Sequence, residues 1–183
     1  HLRKLQADLP GLLAEAGLPA SIDGVPLNLH RLNSVLVNKY RDHTDSISAH
    51  ADNEPVFGRH PTIVSVNLGA PRTFRLKRMT RSQWEKEHKG QTYTAPPAGS
   101  KAAFEYRLQH GDVLIMAGAA QEHWYHRIDK EASPETFHRY QKMPGRARLQ
   151  KMTESTVRFN LTFRPYEKRR GDQRSSPQGY HKG

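Results

Sequence analysis

The eight residues "VRFNLTFR" (157–164) decide the fold, because apolar and polar side chains alternate through all of them. Strict alternation predicts a β-strand with one apolar and one polar face. The apolar face has to pack on a core. The polar face carries Arg158 and Arg164, and two arginines lining a site are costly unless an anion meets them. Guanidinium groups bind carboxylates by two-point contacts, so the strand either faces a small dicarboxylate inside a barrel or is a solvent-exposed edge strand.

Similar short segments, rich in β-branched and aromatic residues, recur along the chain and are separated by turn signals such as "LGAPR" and "HGD". Many short strands after one leading helix favour a mainly β fold of the jelly-roll type, an antiparallel sandwich or barrel. The predicted strands cover residues 34–40, 62–69, 72–78, 103–108, 112–116, 123–128 and 156–164.

The amino-terminal segment "LRKLQADLPGLLAEAG" (2–17) has the period of an amphipathic helix that ends at Gly17. Pro10 is expected to delay the start of this helix or to kink it. The apolar face is predicted to hold Leu5, Leu9, Leu12, Leu13 and Ala16.

The segments 79–102 and 129–155 are predicted to be loop-like insertions, because both are basic and contain Pro, Gly or Ser. The predicted organisation is one domain, residues 1–165, followed by a basic, flexible tail, residues 166–183.

The composition favours a polyanionic partner. The 183 residues carry a formal net charge of +11, with the basic side chains clustered at 75–89, 139–151 and 168–174. Such a charge favours nucleic acid first and an acidic membrane surface second. No stretch reaches the roughly 18 apolar residues of a membrane helix. The chain has no cysteine, so a metal would be held by His, Asp or Glu, and we expect an intracellular, monomeric protein, nuclear in a eukaryotic cell.

The stretch "SISAHADNEP" (46–55) places His50 and Asp52 two residues apart. In an extended chain such positions share a face, so both side chains could ligate one metal. Two histidines and one carboxylate on one face of an octahedron is the usual arrangement in non-haem Fe(II) oxygenases. The pattern therefore needs one more histidine from a distant strand.

The histidine candidates are His110, His123 and His126. In "HWYHRI" (123–128), His126 shares its face with a tryptophan and an isoleucine, which is the face expected to point inward. We therefore predict His126 as the third ligand. The alternative is a core histidine bonded to a backbone carbonyl. In "VLVNKY" (35–40), Asn38 and Tyr40 also share one face and could bind the same dicarboxylate.

The segments "NKYRDHTDSISAHADNEP", "PTIVSVNLGAPRTFRLK", "LQHGDVLIMAGAAQEHWYHRI" and "RFNLTFR" together resemble the AlkB family of Fe(II)/2-oxoglutarate dioxygenases, most closely its eukaryotic nucleic-acid-repair members. The resemblance covers most of residues 34–164 and implies a double-stranded β-helix. It implies iron ligation by His50, Asp52 and His126, which would then be the catalytic residues. It also implies 2-oxoglutarate contacts from Asn38, Tyr40, Arg158, Asn160 and Arg164.

The resemblance further implies oxidative demethylation of 1-methyladenine or 3-methylcytosine in DNA or RNA. The reaction uses Fe(II), O2 and 2-oxoglutarate, with ascorbate as reductant in vitro, and releases formaldehyde, succinate and CO2. Glu54 would lie against the substrate base, where a carboxylate favours the cationic methylated ring, and His50 would stack on that base. The segment "PRTFRLK" (71–77) is similar to homologues that prefer single strands, and its Arg72 is predicted to contact the substrate.

Two departures from the family shape the substrate hypothesis. The family carries its nucleotide-recognition lid and strand-opening elements upstream of the first helix, a region that is nearly absent here. We therefore expect substrate recognition to be incomplete or to be carried by other segments. The stretch 129–157 is long and basic, and we expect it to grip a phosphate backbone through Arg139, Lys142, Arg146, Arg148 and Lys151.

Two other functions remain open on the sequence. The first is a 2-oxoglutarate oxygenase that acts on a protein or a small molecule. The second is a catalytically inactive module that binds nucleic acid.

Overall fold

Two four-stranded sheets form the body of the protein in the computed structural model, which describes residues 1–22, 24–132 and 156–167. The helices within these residues are α1 (Leu2–Glu15), α2 (Arg81–Glu87) and α3 (Ala120–His123), and 3-10 turns cover Leu29–Arg31 and Pro55–Phe57. The strands are β1 (Ser21–Ile22), β2 (Val25–Pro26), β3 (Leu32–Tyr40), β4 (Ile47–His50), β5 (Ile63–Gly69), β6 (Arg72–Arg78), β7 (Ala103–Leu108), β8 (Val113–Met116), β9 (Trp124–Ile128) and β10 (Arg158–Pro165).

The strand order confirms the jelly-roll prediction. One sheet, the major sheet, has the order β3-β10-β5-β8, and the other, the minor sheet, has the order β4-β9-β6-β7. All of these neighbours pair antiparallel. The chain passes between the two sheets after β3, β4, β5, β7, β8 and β9, which is the winding of a double-stranded β-helix. A short hairpin of β1 and β2 precedes them.

Helix α1 covers the outer face of the major sheet. Leu9 and Leu13 are its buried residues, and they belong to one apolar cluster with Val64, Leu161 and Phe163 of the sheet. The helix ends before Gly17, whose φ of 78° confirms the predicted stop.

One expectation for this helix is wrong, and one of the two alternatives for Pro10 is excluded. Leu12 is 52% exposed, because the apolar stripe in contact with the sheet is narrower than the sequence face. Pro10 lies inside the helix, which already begins at Leu2, so the proline does not delay its start.

Strand β10 lies between β3 and β5, so it is a barrel strand and not an edge strand. Leu161 and Phe163 pack toward α1. Arg158, Asn160 and Thr162 are buried on the opposite face and line a pocket between the two sheets. The alternation in the sequence thus separates a core face from a site face.

The prediction of a loop over residues 79–102 is wrong for α2. Thr80 caps this helix by accepting a hydrogen bond from the Gln83 amide, and the Gln83 side chain accepts one from the Thr80 amide. This reciprocal pair is a capping box, a signal present in the sequence. Trp84 anchors the helix and is 1% exposed.

The other insertion lies largely outside the described residues, as does the tail from residue 168 onward. Tyr166 and Glu167, the first two predicted tail residues, still contact the domain: the Glu167 amide donates to the Val56 carbonyl at 2.8 Å. Among the helices of the described chain, we find none long and apolar enough to span a membrane.

Candidate metal and cosubstrate site

The pocket between the sheets is lined by residues from both of them. The minor sheet and the loop after β4 contribute imidazole, carboxylate and apolar groups, and the major sheet contributes amides, hydroxyls and a guanidinium. The lining residues are Leu36, Asn38, Tyr40, Ile47, His50, Asp52, Ser65, Phe74, Met116, His126, Ile128, Arg158, Asn160 and Thr162.

Three potential metal ligands meet at one wall of this pocket. His50, Asp52 and His126 each offer one ligand atom, and these atoms all lie within 4.8 Å of one another. The sheet explains the histidine pair, because His50 lies directly opposite His126 in the pairing of β4 with β9. Asp52 lies beyond the end of β4, so a shared strand face, the expected cause, is not what brings it to His50.

The hydrogen bonds of the first histidine orient it for a metal. His50 Nδ1 lies 2.8 Å from the Ser48 carbonyl oxygen, which can only accept, so Nδ1 carries the proton. The other ring nitrogen, Nε2, faces the carboxylate and lies 3.9 Å from Asp52 Oδ1. A backbone carbonyl that fixes the tautomer of a ligating histidine is a common outer contact in metal sites.

The second histidine is neutral. His126 is 6% exposed, and burial, followed by the neighbouring His50, lowers its pKa to about 3. Its Nδ1 atom is buried without a hydrogen-bond partner in the described part of the chain. A neutral imidazole with an unused nitrogen is the form that ligates metals.

The carboxylate is held from two sides. Gln121, in α3, accepts a hydrogen bond from the Asp52 amide at 2.8 Å and donates to the sulfur of Met116 at 3.4 Å. Arg164 Nη1 lies 3.5 Å from Asp52 Oδ1. No pattern in the sequence indicates Gln121, because a four-residue helix is too short to show a period.

Arg158 lies on the opposite wall and is 2% exposed. Its guanidinium lies over the Tyr40 ring, 4.8 Å from the centroid, and its Nη2 donates to Asn67 Oδ1. Nε and Nη1 are buried without a hydrogen-bond partner in the described residues. Burial lowers the pKa of Arg158, because the charged form loses its solvation here. A buried guanidinium with two unused donors fits an anionic ligand.

A polar network surrounds Arg158 on the major sheet. The Asn160 amide nitrogen donates to Ser65 Oγ and to Asn67 Oδ1, and Thr162 donates to Asn160 Oδ1 at 2.8 Å. Ser65 and Asn67 were missed by the sequence reasoning. Their signal was present, since they are the polar residues of alternating positions in the apolar run "TIVSVNLG" (62–69).

The donor set of two histidines and one carboxylate is that of non-haem Fe(II) sites. A family model described as the 2OG-Fe(II) oxygenase superfamily matches residues 6–164. The chain belongs to the 2OG-Fe(II) oxygenase superfamily. Fe(II) and 2-oxoglutarate are the cofactors that this family implies. The residues present fit both of them, with three ligands for the metal and a buried, under-satisfied arginine for a dicarboxylate.

The relatives confirm the resemblance to the AlkB family. Alpha-ketoglutarate-dependent dioxygenase alkB homolog 3 of Homo sapiens is 39% identical over 108 residues, which are 56% of this chain and 32% of that protein. DNA oxidative demethylase ALKBH2 of Arabidopsis thaliana is 35% identical over 112 residues, 57% of this chain and 35% of that protein. This oxygenase chain therefore spans about a third of the length of these curated relatives.

A solved structure, that of OsALKBH1, aligns with a TM-score of 0.43 and 21% identity. The alignment covers 71% of this chain and 48% of that chain.

The other cosubstrate residues predicted for this oxygenase lie at different distances from the pocket. Asn38 and Tyr40 line it, opposite Asn160 and Arg158 in the register of β3 with β10. Arg164 does not line it. Its guanidinium lies over the Phe57 ring, 4.4 Å from the centroid, on the side of the Asp52 carboxylate.

Arg72 is not placed for the predicted substrate contact. It is 1% exposed, and its guanidinium donates to the backbone carbonyls of Asp42, Asp45 and Asp129. Its Nε lies 3.7 Å from Glu131. A side chain engaged inward in this way ties loops together and cannot reach a nucleic acid.

The remaining predicted substrate residues divide into two groups. Glu54 is exposed, directly after the Asp52 loop, and its carboxylate has no partner among the described residues. Arg146 and Arg148 lie outside the described residues, as do the other three basic positions of that predicted grip.

The two histidines that were not chosen as ligands lie away from the metal cluster. His110 Nδ1 accepts a hydrogen bond from the Gly69 amide at 2.8 Å. His123 is buried in α3 and not in the predicted strand, and its Nε2 lies 3.7 Å from Glu122. Burial lowers the pKa of His123.

Proposed function

We propose that this chain is an oxidative demethylase of N-alkylated nucleobases, of the 1-methyladenine and 3-methylcytosine type, with single-stranded DNA or RNA as the favoured substrate. Its support is the meeting of the His50, Asp52 and His126 ligand atoms with the under-satisfied Arg158 in one pocket. The relatives called DNA oxidative demethylase and the net charge of +11 support the choice of substrate.

The overall reaction converts the N-methyl group, 2-oxoglutarate and O2 into formaldehyde, succinate, CO2 and the unmethylated base, with a proton released from a cationic base. Bound Fe(II) supplies the oxidising chemistry at the methyl group. His50, Asp52 and His126 would hold that metal from one side and leave the other side open.

The major sheet would orient the cosubstrate. Arg158 would donate from its two unpartnered nitrogen atoms, Nε and Nη1, to the 2-oxoglutarate anion, with Tyr40 beside it and Asn38 along the wall. Asn160 would act through Ser65 and Asn67, whose hydrogen bonds fix the surface against which the cosubstrate lies.

The substrate base would approach from the side of His50, whose side chain is 34% exposed. The base has to leave any stack first, and the imidazole face would hold it there. Glu54, exposed two residues after Asp52, would stabilise the positive charge of a methylated ring.

The test is mass spectrometry of oligonucleotides that carry 1-methyladenine or 3-methylcytosine, incubated with the protein, Fe(II), ascorbate and 2-oxoglutarate. Single-stranded DNA, duplex DNA and RNA run in parallel. We expect loss of the methyl mass, fastest on a single strand. The His50→Ala variant should abolish it, and the His30→Ala variant, which removes an exposed histidine outside the pocket, should not.

Each other outcome points to a different function. Consumption of 2-oxoglutarate without methyl loss would move the substrate to a protein or a small molecule. Oligonucleotide binding with neither methyl loss nor 2-oxoglutarate consumption would indicate an inactive binding module.

A further inference from the structure

Two aromatic rings stand side by side on β7, the edge strand of the minor sheet. The rings of Phe104 and Tyr106 are parallel within 8°, with their centroids 6.3 Å apart. Tyr106 is 44% exposed, and Phe104 is half-buried. The proposed chemistry uses neither of them, and adjacent exposed aromatic side chains are a common sign of a binding surface.

The strand register places these rings on the metal side of the sheet. Phe104 lies opposite Leu76, which lies opposite His126, which in turn lies opposite His50. Directly opposite residues project from the same face. Neighbouring strands are about 4.8 Å apart, so Phe104 lies two gaps, about 10 Å, from His126 and three gaps, about 14 Å, from His50.

The neighbouring row of paired residues also leads from the pocket to the aromatic pair. Tyr106 lies opposite Phe74, and Phe74 lines the pocket and stacks on His126 with a centroid distance of 5.6 Å. The wall of the pocket thus continues outward to the aromatic pair without a change of face.

Two cations border the rings. Lys101 Nζ lies over the Phe104 ring, 6.0 Å from its centroid. Arg78, on the same face of β6 as Leu76, donates to the Ser100 carbonyl at 3.2 Å. Within the described residues, neither cation has a carboxylate partner.

The opposite face of the same strands differs in charge. There Arg75 pairs with Glu105 and Asp129, and Arg107 pairs with Glu131. Those arginines are neutralised by the protein. Of the arginines on these two strands, Arg78, beside the aromatic pair, is the one without a carboxylate partner in the described residues, and Lys77 is an exposed cation on the opposite face.

We propose that Phe104 and Tyr106 form a stacking platform for a base of the single-stranded substrate that flanks the methylated base, with Lys101 and Arg78 meeting its phosphates. The aromatic rings can stack on bases, and the cations beside them can contact the phosphates that join those bases. Stacking of this kind does not depend on the nucleotide sequence. At about 3.4 Å per nucleotide, 14 Å corresponds to about four nucleotides of a stacked strand, and to fewer of an extended one. This inference rests on the proposed function and adds a second contact point to it.

The test is an abasic scan by fluorescence anisotropy. The full chain, loaded with Mn(II) and 2-oxoglutarate so that no turnover occurs, binds labelled single-stranded 13-mers with a central 1-methyladenine. One abasic nucleotide is moved outward on either side, in DNA and in RNA. We expect one position, about two to four nucleotides from the centre, to weaken binding about fivefold or more, as loss of one stacked base does. DNA and RNA should share that position, because both offer the same base faces.

The variant Phe104→Leu/Tyr106→Leu keeps apolar volume and removes both ring faces. It should weaken binding to the intact 13-mer by a similar factor and lose its sensitivity to that abasic position. The single variant Tyr106→Leu, at the more exposed ring, should show part of the effect without risk to folding. The control Tyr166→Leu removes a ring of similar exposure, 38%, and should behave as the wild type.

The cations have their own readout. Lys101→Gln should lower the slope of log Kd against log salt by about one, and the Lys4→Gln control, on α1, should not.

Two results would overturn the platform. A flat abasic scan in the wild type, or a penalty that persists in the double variant, removes it, and wild-type demethylation would then leave the proposed function standing. A wild-type protein that neither binds nor demethylates any single strand would remove both proposals together.

Discussion

The two sheets contribute opposite kinds of polar group to one pocket. On the minor sheet, His50 and His126 present nitrogen atoms that the protein leaves unused. On the major sheet, Asn67 and Asn160 are engaged by neighbouring side chains, and Arg158 keeps two unused donors. The metal side thus depends on where His50 and His126 place their nitrogen atoms. The cosubstrate side depends on a network that fixes the position of one charge.

Two buried arginines in the described part of the chain differ in what they contact. Arg72 and Arg158 are 1% and 2% exposed, and both lie beside the Tyr40 ring. Arg72 donates to three backbone carbonyls, whereas Arg158 donates to one amide oxygen, that of Asn67. The two arginines are equally buried but have different roles: Arg72 holds loops together, and Arg158 is placed to bind a ligand.

The largest effect is expected from Asp52→Asn, which keeps the shape of the side chain and removes its charge. We expect Mn(II) affinity, measured by isothermal titration calorimetry, to fall more than about 100-fold, because loss of a ligand should exceed the 10–100-fold cost of losing an outer contact. The Asp45→Asn variant, in an exposed pair with Arg41, is the control. Unchanged Mn(II) affinity in Asp52→Asn would contradict the assignment of this wall as the metal side.

The next effect separates the two arginines. Arg158→Met should weaken 2-oxoglutarate binding to the Mn(II)-loaded protein about 30-fold or more, because a desolvated charge contact is lost. The free energy of unfolding without 2-oxoglutarate should not fall, since the variant removes a buried and under-satisfied charge.

Arg72→Met should show the reverse. Its loss leaves three backbone carbonyls without their donor, while Glu131 keeps its pairing with Arg107. The free energy of unfolding should therefore fall by about 3–5 kcal/mol in urea titrations, because each buried acceptor left without a partner costs about 1–3 kcal/mol. The folded fraction should bind 2-oxoglutarate as the wild type does. If both variants changed the same quantity, the distinction between the two arginines would be wrong.

A smaller effect is expected at Gln121, which holds the Asp52 amide. Gln121→Leu should weaken Mn(II) binding about 10- to 100-fold, as the loss of other outer contacts does. Gln121→Glu keeps the acceptor oxygen and should restore part of that affinity. Equal affinities for the two variants would mean that the residue only fills space.

The smallest effect concerns Gly69, which lies opposite Arg158 in the register of β5 with β10. Its φ is 92°, and an added Cβ would lie 2.3 Å from the Val157 carbonyl oxygen. Gly69→Ala should lower the free energy of unfolding by about 1–3 kcal/mol. Gly11→Ala, in open space on α1, should raise it by about 1 kcal/mol. Thermal unfolding of the two variants measures both signs, and an unchanged stability of Gly69→Ala would show that β5 and β10 pack less tightly here than the structure indicates.

Alternation in the sequence predicted most of the sheet structure and the polar face of β10, because a period of two reports directly which side chains share a face. The choice of His126 followed from the same rule. Two features could not be read in this way. Asp52 reaches the histidines from beyond a strand end, and Arg72 turns inward because carbonyls from distant loops converge on it. Both depend on contacts between segments far apart in the chain, which no local period encodes.

The pairing of β4 with β9 is short and irregular, with a register shift between Ile47 and His50. A cation held by His50, Asp52 and His126 would therefore link the edge strand β4 to β9, where few backbone hydrogen bonds connect the two strands. Metal binding would then stabilise the fold as well as provide the ion that the chemistry needs. The Tm of the protein would consequently rise with the concentration of the free metal ion.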